Sequence, residues 1–412
     1  MSVLQTAQFP RVVGPSEGVA ELRKPQYNLA IGYLRAFVTV LVLAHHTVLA
    51  YYPFAPAPPT SLLAQPRWWQ AFPVVDVQRW SGFALLVGFN DIFFMSLMFF
   101  ISGLFVWQSL QRKNSGHFLR DRLLRLGLPF LGAAALVAPL AYYPTYLQAG
   151  QRGWSGFRHQ WFALGNWPAG PAWFVWVLLA FDLIAAGLFI WTPRWGESLG
   201  GLLSGVSARP VLFFGTLVAA SAVVYIPMAL AFNPFRWTAF GPFFFQTSRI
   251  LHYLVYFSIA LGVGAYGLER SLLVPGGKLA RRWLLWSVLS LLVFGVTTGV
   301  AIAAIASKRS PYVWEAIASL GFCLSCATST FAFLALFLRF AKTPRPILDS
   351  LRDNAYGMYL IHYACVTWLQ YVLLKVELTA PMKGLTVFVG TLAISWSLTA
   401  ALRRIPAIAR II

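Results

Sequence analysis

The chain has 412 residues, 58% of them hydrophobic and only 11% charged, with a net charge of +20. A mean hydropathy of +0.67 and repeated long apolar runs exclude a string of soluble domains and identify a polytopic helical membrane protein. The positive excess would suggest nucleic acid in a soluble protein, but here it fits the Lys and Arg that gather in cytoplasmic loops, so no nucleic-acid partner is expected.

Residues 1–27 are polar and contain Pro10, Pro15 and Pro25. They lack the basic-then-apolar layout of a cleaved signal and are read as a cytoplasmic tail. The first span, Leu29 to Tyr52, is long enough to cross a bilayer, which takes about 20 residues. It nevertheless carries Arg35 and the pair His45–His46. A central Arg costs roughly 2.5–3.5 kcal/mol on insertion scales, so ionisable residues here suggest function. The eleven-residue step from Arg35 to His46 falls roughly 20° from three full turns, placing both on one stripe about 16 Å apart. His45 points roughly 80° away from that stripe. A proton-transfer site below an anion anchor fits this layout; a snorkelling Arg and a packed His fit the spacing equally well.

Later spans are expected near 88–111, 123–147, 171–192, 210–232, 249–268, 282–306, 314–340, 355–374 and 384–402. This predicts an all-α bundle of about ten transmembrane helices over residues 28–403, followed by a short tail, 404–412. Lys and Arg favour the N-terminal side by about two to one, so both termini are expected in the cytoplasm. Loops 53–87 and 148–170 on the other side are rich in Trp, which suits either an interfacial belt or a platform for sugar faces.

The second span contains Ser102–Gly103, a small site that lets helices approach closely. Beyond it, Arg122 and Arg125 stand i,i+3 at a helix start, where paired guanidinium groups suit a phosphate grip or anionic lipid headgroups. Asp182, inside the fourth span, needs a basic partner from a neighbouring helix. His252, beside Arg249, reads as an interfacial histidine. Tyr356, Tyr359 and Tyr363 share a face of the ninth span, with His362 offset from it. Cys323, Cys326 and Cys365 lie in apolar runs and suggest neither a disulfide framework nor a metal site. No His-Glu-x-x-His pair or P-loop is present, and no internal repeat supports an inverted-repeat transporter.

Taken together, these stretches resemble the acyltransferase-3 family of bacterial integral-membrane acyltransferases, especially its glucan-biosynthesis-protein-C-like branch. Arg35 and His46 match its Arg-x10-His signature, and Phe99-Phe100-Ile101-Ser102-Gly103 its second-span pattern. Arg122-x-x-Arg125 before Pro129, Trp173-Phe174-x-Trp176 and Tyr356 to His362 follow in the family's order. One position departs: Gly32 stands where many members carry an acid, so Arg35 must find another partner or bind an anion. The resemblance implies O-acyl transfer, acetyl or succinyl, from cytoplasmic acyl-coenzyme A to a carbohydrate hydroxyl of an envelope or exported glycan. It implies no bound cofactor, with acyl-coenzyme A as co-substrate, and membrane lipids and glycan-synthesis proteins as partners, in the bacterial inner membrane. His46 and Arg35 take catalytic roles in this reading, with Arg122 and Arg125 on the donor. His45, Ser102, Gly103, Trp173, Tyr359 and His362 are supporting residues. An exporter or flippase of a glycan intermediate, and a catalytically silent subunit, are the alternatives.

Overall fold

The structure, a computed structural model, describes residues 29–307 and 311–412; the sequence-predicted tail, 1–27, lies outside the described residues. Among the described residues, ten helices are long and apolar enough to cross a membrane: α1 (Leu29–Tyr51), α2 (Gly82–Arg112), α3 (Ser115–Gln148), α4 (Gly170–Trp191) and α5 (Pro210–Phe232). They continue with α6 (Thr247–Tyr266), α7 (Trp283–Ala304), α8 (Tyr312–Phe340), α9 (Pro346–Lys375) and α10 (Ala380–Leu402). The expected ten spans are all present. Helices α3 and α9 begin earlier than hydropathy places them, because each continues through polar residues before its apolar stretch. Helix α9 starts at Pro346, where the missing N–H costs nothing and Asp349 suits the first turn. Asn114 caps α3 by accepting from the His117 N–H at 2.9 Å.

Helix α1 is the centre of the bundle, packed against α2, α8, α9 and α10. Its small residues, Ala30, Gly32 and Ala36, are buried in these contacts. Helices α2 and α6 approach most closely at two glycines. A Cβ on Gly103 would strike the Phe257 carbonyl, and one on Gly264 the Leu104 carbonyl. That bears out the close approach expected at Ser102–Gly103. Helix α7 lies at the rim and packs on α8, with few of its residues fully buried.

Helix α3 departs from a regular ladder. Leu123–Gly127 and Ala133–Val137 are π-helical turns on either side of Pro129. A proline lacks the N–H an α-turn requires, and widened turns absorb the mismatch. The i,i+3 geometry expected for Arg122 and Arg125 therefore holds only in part, since Arg125 lies inside the first wide turn.

The face opposite the start of α1 carries a cap rather than loose loops. The Thr145 hydroxyl donates to the Pro73 carbonyl at 2.7 Å, and the Gln148 amide brackets Val75. Arg67 donates to the Leu164 carbonyl at 2.7 Å. Trp69 and Trp161 are buried with Tyr142, Phe157 and Tyr363 in a separate core, whereas Trp68 and Trp154 stay exposed. Neither a belt nor a platform describes the buried pair: these rings hold the cap together. A short hairpin, β1 (Trp237–Phe240) and β2 (Phe243–Gln246), is an addition to the expected all-helical chain. Gly241, at φ +56°, starts its two-residue turn.

Candidate active site

A cavity of about 830 Å³ opens beside the start of α1 and runs inward between α1, α2, α3, α4 and α9. Its mouth is cationic. Arg35, Arg122, Arg125, Arg352, Arg403 and Arg410 face it, against Asp182 and Asp353. Its depth is mostly apolar, lined by Met98, Ile101, Phe105, Phe174, Leu178 and Tyr359, with the Ser102 and Thr39 side chains also present. Residues 409–412, assigned to a tail in the sequence reading, fold back to complete the rim.

Asp182 has the partner expected of it: Arg122 from α3 lies 3.2 Å away, its guanidinium also resting 4.9 Å over the Phe118 ring. The Tyr356 hydroxyl donates to the Arg125 carbonyl at 2.7 Å, tying α9 to the wide turn. The Arg35 guanidinium is exposed to the cavity and has no hydrogen-bond or ion-pair partner among the described residues. With Gly32 in place of an acid, a guanidinium at a cavity mouth is left free for an anion.

Beyond the floor lies a pair of imidazoles. The cavity lining reaches Thr39 on α1 and Tyr359 on α9; His46 and His362 stand seven and three residues further along. At about 1.5 Å per residue, His46 is roughly 10 Å past Thr39. The Tyr359 ring forms the partition, 5.9 Å from Phe174 and 5.7 Å from His362, with its hydroxyl tied to the Pro171 carbonyl.

Hydrogen bonds assign the protons on this pair. His362 Nδ1 lies 2.6 Å from the Tyr359 carbonyl, which can only accept, so Nδ1 carries the hydrogen and Nε2 the lone pair. His46 Nδ1 lies 2.8 Å from the Val42 carbonyl and 3.3 Å from His362 Nε2, so it donates toward both. His46 Nε2 is thereby left with a free lone pair. It makes no hydrogen bond among the described residues, and it is not sealed within the packing. A positioned imidazole with one nitrogen held and the other free is the arrangement a general base requires.

The remaining candidates divide. His45 is buried, stacked on Phe94 at 5.3 Å and edge-on to His46 at 5.3 Å. The Ser102 hydroxyl turns back to the Met98 carbonyl at 2.8 Å while lining the cavity. Trp173 lies elsewhere, against Trp237 and Tyr253, and contributes to neither the cavity nor the histidine pair. His252 is wholly buried between Tyr225, Tyr256 and Phe322. Arg352, Arg403 and Arg410 went unnoticed as cavity residues because basic side chains are common on this face of any membrane protein. Among the described residues no group of three His, Cys, Asp or Glu could hold a metal ion.

Residues 28–400 match the family model Acyl_transf_3, described as an acyltransferase domain. No curated protein and no solved structure matches the chain.

Proposed function

Since the chain belongs to the acyltransferase-3 family and is an integral-membrane acyltransferase, we propose that it acylates a carbohydrate hydroxyl with acyl-coenzyme A as donor. Acetyl and succinyl are the groups proposed, an envelope or exported glycan the acceptor, and the bacterial inner membrane the site. The observation that carries this reading is the amphipathic cavity whose inner lining, at Tyr359, touches His362, the ring hydrogen-bonded to His46. Its arginine-rich mouth suits the phosphates of a nucleotide, and its apolar depth suits the thin arm that bears the thioester.

In this mechanism His46 Nε2 removes the proton from the acceptor hydroxyl as the oxygen attacks the thioester carbonyl. The tetrahedral intermediate collapses with cleavage of the carbon–sulfur bond, and the departing thiolate takes the proton back from His46. During the step His46 carries positive charge, which the Val42 carbonyl and the His362 lone pair stabilise. Arg35 and Arg125 hold donor phosphates, and Arg122 does so while anchored by Asp182.

Two expected results follow. Substituting Arg125 with Ala raises the KM for acetyl-coenzyme A by about tenfold, as losing one charge-assisted contact of roughly 1.5 kcal/mol implies, with little change in kcat. Thiol release by purified protein in detergent measures this, and an unchanged KM removes Arg125 from the donor site. Tyr359→Trp enlarges the partition, so coenzyme A still binds by calorimetry while turnover is lost; full turnover would show that the donor does not pass Tyr359. The direct test of the whole reading is acetyl-coenzyme A consumption by the purified chain. Mass spectrometry of envelope polysaccharides from a deletion strain then identifies the missing ester.

A further inference from the structure

On the far side of His46 from the basic cavity, the bundle holds a second polar site that the donor reading does not use. Asp91 on α2 pairs with Arg249 at the first turn of α6: Nη2 lies 2.7 Å from the carboxylate, and Nη1 donates to the Asp91 carbonyl at 3.0 Å. The two members are buried unequally. Arg249 is 5% exposed, but Asp91 is 43% exposed, even though His45 of α1, Tyr52 just beyond it and Tyr225 of α5 lie within electrostatic reach. The carboxylate therefore stays reachable while groups from three neighbouring segments lie around it.

Around this pair the polar inventory is incomplete. His45 Nδ1 and Arg249 Nε have no hydrogen-bond partner among the described residues. Buried donors and acceptors are almost always satisfied, so unpartnered nitrogens beside a reachable carboxylate suit a polar ligand. The charges restrict what that is. An anion would meet Asp91 and a cation would meet Arg249, whereas a neutral hydroxyl can donate to the carboxylate and accept from the guanidinium or the imidazole. His45 joins this site to the transfer centre, since its ring stands edge-on to His46.

We infer that Asp91, Arg249 and His45 form a hydroxyl-binding pocket for a neutral polyhydroxylated ligand, holding the acceptor beside His46. Its role as an acceptor site rests on the acyltransferase reading of His46, but binding is measurable without turnover. The probe is methyl β-D-glucopyranoside, observed by saturation-transfer NMR with the full-length chain in detergent. Saturation transfer is expected for the wild type and for His46→Ala, and a loss of at least tenfold in affinity for Asp91→Asn and His45→Phe. Should Asp91→Asn lower the melting midpoint, His45→Phe decides, because its ring can keep the stack on Phe94. Equal saturation transfer in these variants, or none with the wild type, overturns the pocket. Glucoside binding that depends on Asp91, alongside wild-type turnover in His46→Ala, would instead retain the pocket and remove the transfer centre.

Discussion

Replacing His46 with alanine lowers acyl transfer by about 10²–10⁴-fold, the range general-base catalysis contributes, with yield and melting midpoint unchanged. The size of the loss follows from how this ring is held. The Val42 carbonyl and His362 Nε2 occupy Nδ1, so Nε2 alone is free to take a proton, and alanine supplies no substitute. His362→Leu should behave differently. The base remains but loses its outer contact, and a misplacement of about 1 Å can cost on the order of 10²-fold. Thiol release from acetyl-coenzyme A in the presence of acceptor measures both variants. Wild-type turnover by His46→Ala would sink the assignment; equal losses in the two variants would show that the rings act as one unit.

The part of this site that lay on a single helix was legible in the sequence. Arg35 and His46 share a stripe because the helical period places them there, and the costly charge in an apolar span drew attention to them. The ten spans were legible for the same reason, since lipid imposes one length and one composition on each. What spacing could not supply is contact between distant segments. His362 lies 316 positions from His46, and only the packing of α9 on α1 brings a nitrogen of each ring within 3.3 Å. The wide turn at Leu123–Gly127 altered the presentation of Arg125 in a way an assumed α-helix misses. Asp91 did leave a signal, an acid within Phe89-Asn90-Asp91-Ile92-Phe93, that the intramembrane-charge argument could have raised. Lys383, inside the last span, left another.

Lys383→Met is expected to destabilise the protein by about 3–5 kcal/mol, the cost of stranding one member of a buried ion pair. Lys383 Nζ and the Asp76 carboxylate are 2.6 Å apart, with side chains 1% and 0% exposed. Asp76 also accepts from the Gln78 N–H at 2.8 Å, and its own N–H donates to the Ala50 carbonyl at 2.9 Å. The pair thus latches the cap to the ends of α1 and α10, within a few residues of His46. Removing only the lysine leaves a carboxylate that can neither reach water nor find another cation among the described residues. The double variant Asp76→Leu/Lys383→Met removes the stranded charge and should recover most of the loss, since apolar replacement of a buried pair is often neutral. Melting midpoints in one detergent separate the cases, and faster proteolysis within residues 53–81 of the single variant locates the damage. Equal destabilisation by the single and double variants would mean that packing around Lys383, not its charge, holds the cap.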